Sequence, residues 1–173
     1  MYNVGNCGEK WGIDLRNAHE IGSKWGVVEH MFLGEYLHNI DSKGRLTLPA
    51  KFRGELARGV VVTRGFEGCL VVYPVDEWEK LTQKIDSLPH TQKDARMLAR
   101  LLYSGAGDCI PDKQGRVLLP TYLREFASVD GETMIIGLHN RLEIWNPERW
   151  RSIKDEMETQ ADIIAEHFAG QGI

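Results

Sequence analysis

Asp41-Ser-Lys-Gly-Arg-Leu-Thr-Leu-Pro49 is echoed 71 residues later by Asp112-Lys-Gln-Gly-Arg-Val-Leu-Leu-Pro120. Aspartate, glycine, arginine, leucine and proline hold register, and Arg53 falls on Arg124, four residues past each proline. After a one-residue shift the echo resumes: Leu70, Val72, Tyr73 and Trp78 match Leu142, Ile144, Trp145 and Trp150. This many matches in order mark two copies of one small unit. A unit of about fifty residues has a marginal core by itself, so the copies are expected to share one core or to bury their faces in a larger assembly.

The quoted words also dictate their own local structure. Asp41-Ser-Lys-Gly44 is a turn with glycine at its fourth position, flanked by strand-like residues 33–40 and 45–48. Pro49 suits the first position of a short helix, with Phe52 and Leu56 four apart. Val60-Val-Val-Thr63 and Cys69-Leu-Val-Val-Tyr73, joined through Gly65 and Gly68, read as a hairpin. The second copy repeats the order: a turn at 112–115, a strand, a Pro120 helix carrying Leu123 and Ala127, then strands near 133–137 and 141–145. Between the copies, residues 76–87 and 91–103 read as helices split at Pro89. After Pro147 a last helix places Trp150, Ile153, Met157, Ile164 and Phe168 on one face, expected to cap the chain's own core rather than dock on a neighbouring subunit.

Composition is that of a globular protein, with no run long enough for a membrane span and no secretory signal at the start. Cys7, Cys69 and Cys109 match no zinc spacing and suggest a reducing, cytoplasmic setting. The net charge of −4 is segregated. Asp41–Arg64 holds six cations against two acids, whereas Glu143–Glu166 holds three against seven. Binding answers to local potential, so an acidic tail on a basic core is compatible with a DNA-holding face.

The Asp-x-x-Gly-Arg words have a bland explanation: aspartate satisfies backbone donors and pairs with the arginine, while glycine takes positive φ. That explanation leaves Lys43, Lys51, Arg53, Lys113 and Arg124 as surplus cations, and guanidinium forks suit phosphates and guanine edges. On residues alone, DNA binding and a structural turn with a charged rim both stand. The six histidines are scattered without ligand spacing, and neither a nucleophile elbow nor a phosphate loop is present. Trp78 and Trp150 read as packing residues and Cys69 as a buried small hydrophobe.

Met31-Phe-Leu-Gly-Glu-Tyr36 followed by Ile40-Asp-Ser-Lys-Gly-Arg-Leu-Thr-Leu-Pro-Ala-Lys-Phe-Arg53 resembles the opening of the MraZ family, transcriptional regulators found at the head of the bacterial division and cell-wall gene cluster. Val72-Tyr-Pro74, Glu77-Trp78, Gly115-Arg-Val-Leu-Leu-Pro120 and Leu142-Glu-Ile-Trp145 continue the likeness. The resemblance implies an α+β, mainly β fold: two tandem AbrB-like (SpoVT-AbrB) swapped-hairpin β-modules with short helices and a C-terminal helix. The expected division is an extension at 1–30, disordered or not native, then modules at 35–77 and 106–149 around a helical connector at 78–105, and a helix and tail at 150–173. It further implies a repressor of its own promoter and gene cluster, a ring-like homo-oligomer acting in the cytoplasm and nucleoid, and double-stranded DNA as partner through operator repeats upstream of its own gene. Neither cofactor nor catalysis is expected. The family ties the first motif arginine to DNA binding, which here is Arg45, with Arg116 as its repeat partner. Charge adds Lys43 and Arg53, and then Lys113 and Arg124.

Two further expectations follow. Family operators are direct repeats on a TGGG core, and Trp-Gly is encoded by TGGGGN; Lys10-Trp-Gly12 and Lys24-Trp-Gly26 lie 14 codons apart, close to four turns of duplex. Either residues 1–30 are promoter DNA read as protein, with translation starting at Met31, or two tripeptides coincide; the mass of the protein from its native host decides. The rival functions are an enzyme on a small β-barrel, for which a nucleophile–base pair is lacking, and an antitoxin-type interaction protein using the 147–169 helix.

Overall fold

The computed structural model describes residues 31–171; expectations for residues 1–30 lie outside the described residues. The strands are β1 (Phe32–Asn39), β2 (Arg45–Thr47), β3 (Val60–Arg64), β4 (Leu70–Pro74), β5 (Gly107–Cys109), β6 (Arg116–Leu118), β7 (Glu132–His139) and β8 (Arg141–Trp145). The α-helices are α1 (Arg53–Leu56), entered through a 3-10 turn at Ala50–Phe52, then α2 (Val75–Asp86), α3 (Lys93–Gly105), α4 (Thr121–Ala127) and α5 (Pro147–Phe168). The α+β, mainly β expectation therefore holds. β5 was not foreseen: three residues, Gly-Asp-Cys, carry no period to read.

Six strands form one antiparallel sheet in the order β1-β7-β8-β4-β3-β5, and β2 pairs with β6 in a separate two-stranded ribbon. The two copies exchange strands in both: β1 of the first lies on β7 of the second, β5 of the second on β3 of the first, and the ribbon takes one strand from each. The pairing reveals a pseudo-two-fold axis. In the sheet it passes through the pair Val71–Glu143, which are repeat equivalents, with Leu70 facing Ile144 and Val72 facing Leu142 on either side. In the ribbon it passes through Leu46–Val117, also equivalents.

One core results, as two marginal units require. Phe32, Leu46, Leu48, Phe52 and Leu56 of the first copy interleave with Val117, Leu119 and Leu123 of the second, all essentially solvent-free. The Phe52 ring meets Phe32 edge-on at 5.0 Å and Tyr36 at 5.5 Å. A smaller cluster forms around Cys69, Val71, Ile136 and Trp145, with Trp150 and Ile153 of α5 against it. Burial first, then the Glu143 carboxylate, pushes the Cys69 thiol up to about 12, which makes it the inert packing group its strand predicted. Trp78 packs between Tyr73 and Tyr103, and Trp150 against Trp145.

The last helix departs from expectation over half its length. Its start is well anchored: Asn146 Oδ1 accepts the amides of Glu148 and Arg149, and Pro147 sits where no intrahelical donor is needed. Arg149 Nη1 donates to Gly68 O at 2.8 Å, while Glu35 accepts from Trp150 Nε1 at 3.2 Å and Lys154 Nζ at 3.1 Å. From Asp155 to Gly170 every residue is exposed. Trp150 and Ile153 thus cap the core as expected, whereas Met157, Ile164 and Phe168 stay more than 40% exposed, the first two beside Glu67 of the β3–β4 turn.

Candidate nucleic-acid interface

Side chains alternate along the β2–β6 ribbon because strand residues point to opposite faces. Leu46 and Val117 turn inward and are buried, so Arg45, Thr47, Arg116 and Leu118 share the outward face. Arg45 stands opposite Leu118 and Arg116 opposite Thr47, which puts the two arginines on a diagonal about 7–8 Å apart between backbones. The pseudo-two-fold axis runs between them.

Each arginine is held by the aspartate of its own turn. Asp41 Oδ1 accepts the backbone amides of Lys43 (2.9 Å) and Arg45 (3.0 Å). Its Oδ2 takes Arg45 Nε at 2.8 Å and Nη2 at 2.7 Å. Asp112 does the same with Gln114 and Arg116, its Oδ2 receiving Nε at 2.7 Å and Nη2 at 2.6 Å. The arginine side-chain hydrogen bond, then its backbone amide, holds each carboxyl down at about 2. The aspartate engages two of the five guanidinium donors, leaving three N–H groups on Nη1 and Nη2 outside that ion pair, on side chains 31% and 26% exposed. The geometry displays the structural explanation of the motif directly: the ion pair shapes each turn and holds its arginine in place.

The surplus cations separate into two groups. Lys43 and Lys113 are exposed at the turns, with no side-chain partner among the described residues. The other three are built into the fold. Arg53 Nε donates to Leu48 O at 3.1 Å and Arg124 Nε to Leu119 O at 3.2 Å. Each then lies over the turn glycine of the other copy, Arg53 on Gly115 and Arg124 on Gly44, and both glycines are buried with φ of +72° and +76°. Leu48 N reaches Gly115 O at 2.8 Å and Leu119 N reaches Gly44 O at 2.9 Å, so the turns are stitched reciprocally. Arg124 further meets Thr121 and Asp130. Lys51 Nζ donates to Leu33 O and sits 4.7 Å from the Phe52 ring centre.

Sequence reasoning did not single out Thr47 and Leu118, although period-two alternation from the motif arginines would have found them. Leu118 is 57% exposed at the centre of a polar face. No group of three metal-ligating side chains converges, and no helix is long and apolar enough to cross a membrane, among the described residues.

Comparison with known proteins places this geometry in context. The family model described as "MraZ protein, putative antitoxin-like" matches residues 31–101 and again 102–168. The chain is 50% identical over 143 residues to the transcriptional regulator MraZ of Halothermothrix orenii, covering 83% of this chain and 100% of that protein. It is 47% identical over 143 residues to the protein of that name from Herpetosiphon aurantiacus, with the same coverage. Against the one from Limosilactobacillus reuteri it is 52% identical over 136 residues, 79% of this chain and 96% of the relative.

Proposed function

This chain belongs to the MraZ family, and on that premise we propose that it is a sequence-specific DNA-binding regulator of transcription whose reading element is the β2–β6 ribbon. The observation that carries this reading is the pair of aspartate-braced arginines on one outward face, related by the pseudo-two-fold axis. A two-stranded ribbon fits the major groove, and an end-on guanidinium fork matches guanine O6 and N7 or two phosphate oxygens. Arg45 and Arg116 are the readers; Lys43 and Lys113 add phosphate attraction; Arg53 and Arg124 act indirectly, by fixing the turns from which the readers project. A rigid, pre-aimed arginine loses little freedom on binding, which favours discrimination over mere adhesion.

The finer reading is a repressor of its own promoter and of the division and cell-wall cluster, acting at the nucleoid. One ribbon offers few base contacts, so a ring-like homo-oligomer engaging tandem operator repeats would multiply them through effective concentration. The repeats must then recur at near-integral helical turns, and a half-turn insertion between them should abolish cooperative binding.

Fluorescence anisotropy on the chain's own upstream DNA, against a shuffled sequence and at two salt concentrations, tests the core claim. Selective binding that Arg45→Ala weakens by roughly 1–3 kcal/mol supports it. Equal binding to both DNAs, salt-limited and indifferent to the substitution, would leave only electrostatics. The antitoxin-type reading, which draws on the family description and the exposed half of α5, would then lead.

A further inference from the structure

We propose that Leu118 is a second reading residue of the ribbon, its isobutyl group meeting the C5-methyl of a thymine in the base pair next to the one that Arg45 addresses. The inference rests on the DNA-reading function proposed above and specifies a chemical group that the ribbon selects.

Packing does not account for Leu118. Its neighbours Val117 and Leu119 are each 1% exposed, and Leu119 N donates to Gly44 O at 2.9 Å. The backbone is thus fixed on both sides, and alternate strand residues point to opposite faces, so Leu118 is held outward at 57% exposure. The repeat supplies an internal control. Thr47 occupies the equivalent place in the first copy, in the same ribbon and on the same face. A polar residue therefore serves the strand as well, and neither turn nor core calls for a leucine. A lone exposed leucine needs no explanation elsewhere on a surface. This one stands directly across from Arg45 and two residues from Arg116.

The chemistry of the groove selects the contact. Major-groove edges of the base pairs carry hydrogen-bonding groups and one apolar group, the thymine methyl. An isobutyl group gains nothing from the former and is favoured only by the latter. Directly opposed residues of an antiparallel pair have Cβ atoms about 4.5–5.5 Å apart, and bases along one strand are spaced about 3.4 Å. Arg45 and Leu118 therefore address the same base pair or adjacent ones. A pair whose guanine takes the arginine contains no thymine, which leaves the adjacent pair. Thr47, across from Arg116, has a hydroxyl that both donates and accepts, so methyl dependence is expected on the Leu118 side alone. Burying one methyl corresponds to about a fourfold change in affinity.

Fluorescence anisotropy of the full chain on its own upstream duplex, with thymines replaced one at a time by deoxyuridine, removes single methyl groups and nothing else. Wild type is expected to lose about 3- to 10-fold at one thymine per bound ribbon and little at the others. Leu118→Ser should bind the thymine and uracil duplexes equally, at the weakened affinity; Leu118→Gln replaces it if far-UV circular dichroism shows loss of structure. A leucine that only supports the strand would lower affinity for both duplexes and leave their ratio unchanged. Methyl dependence at no position, or a wild-type ratio kept in the variant, overturns the role of Leu118. The DNA-reading function stands in either case if wild type still prefers its own upstream DNA to a shuffled duplex and Arg45→Ala abolishes that preference. Loss of the preference in wild type itself, or its indifference to Arg45→Ala, overturns both.

Discussion

In each turn a guanidinium and a carboxylate four residues apart shape the loop and, on the proposed function, present the donors that meet DNA, and substitutions separate the two roles. Arg45→Lys keeps the charge but loses the planar fork, so operator affinity should drop about 10- to 100-fold while phosphate-driven binding to random DNA barely changes. The aspartates yield a pH signature. Asp41 and Asp112 are held at about 2, below the ordinary 3.8, mainly by the arginine side-chain hydrogen bond. A depressed carboxyl stabilises the fold fully above its unfolded value and loses that contribution as pH falls through the folded one. The melting temperature should therefore decline from about pH 4 toward about pH 2, and a paired Asp41→Asn, Asp112→Asn variant should show a flatter profile in that window. The turn glycines are constrained twice, by positive φ and by the arginine laid over them. Gly44→Ala should cost roughly 1–3 kcal/mol in chemical denaturation for its left-handed backbone. Gly115→Ala should cost more, since its new methyl must also expel Arg53 from Leu48 O.

Elements differ in how plainly the chain announces them. Turns, ribbon strands and proline-started helices have local causes, and the sequence placed them within a residue or two. β5 has none: Gly107-Asp108-Cys109 becomes a strand only because β3 offers it an edge. The same contrast governs the site. Arg45, Arg116, Lys43 and Lys113 can be read as surface cations from spacing and charge. The bracing by Arg53 and Arg124 is a contact between copies, invisible to a comparison of one copy with the other. Half of α5 misled for a related reason, because periodicity reports an apolar face and not what covers it. The attachment of α3 to the sheet also hides in a single group: buried Thr63 Oγ1 donates to Leu102 O at 2.6 Å. Thr63→Val leaves that carbonyl unsatisfied and should cost about 1–3 kcal/mol, with hydrogen exchange rising first in α3.

At the scale of the whole molecule, strand exchange makes the two copies interdependent. Residues 31–101 expressed alone would lose β7 from β1, β5 from β3 and β6 from β2, so this half should show no cooperative melting, whereas the intact chain should unfold in one transition. The pseudo-two-fold axis has a consequence beyond stability. Two identical subunits sharing one ribbon would present the same face after a half-turn and could not distinguish the two directions along a duplex. Here the halves are covalently joined and have drifted apart where it matters: Thr47 faces Arg116 while Leu118 faces Arg45, and Lys43 in one turn is matched by Gln114 in the other. A hydroxyl on one side of the dyad and an isobutyl group on the other give the ribbon a head and a tail. On the function proposed above, the ribbon combines the symmetry that suits a palindrome with side chains that tell one direction from the other.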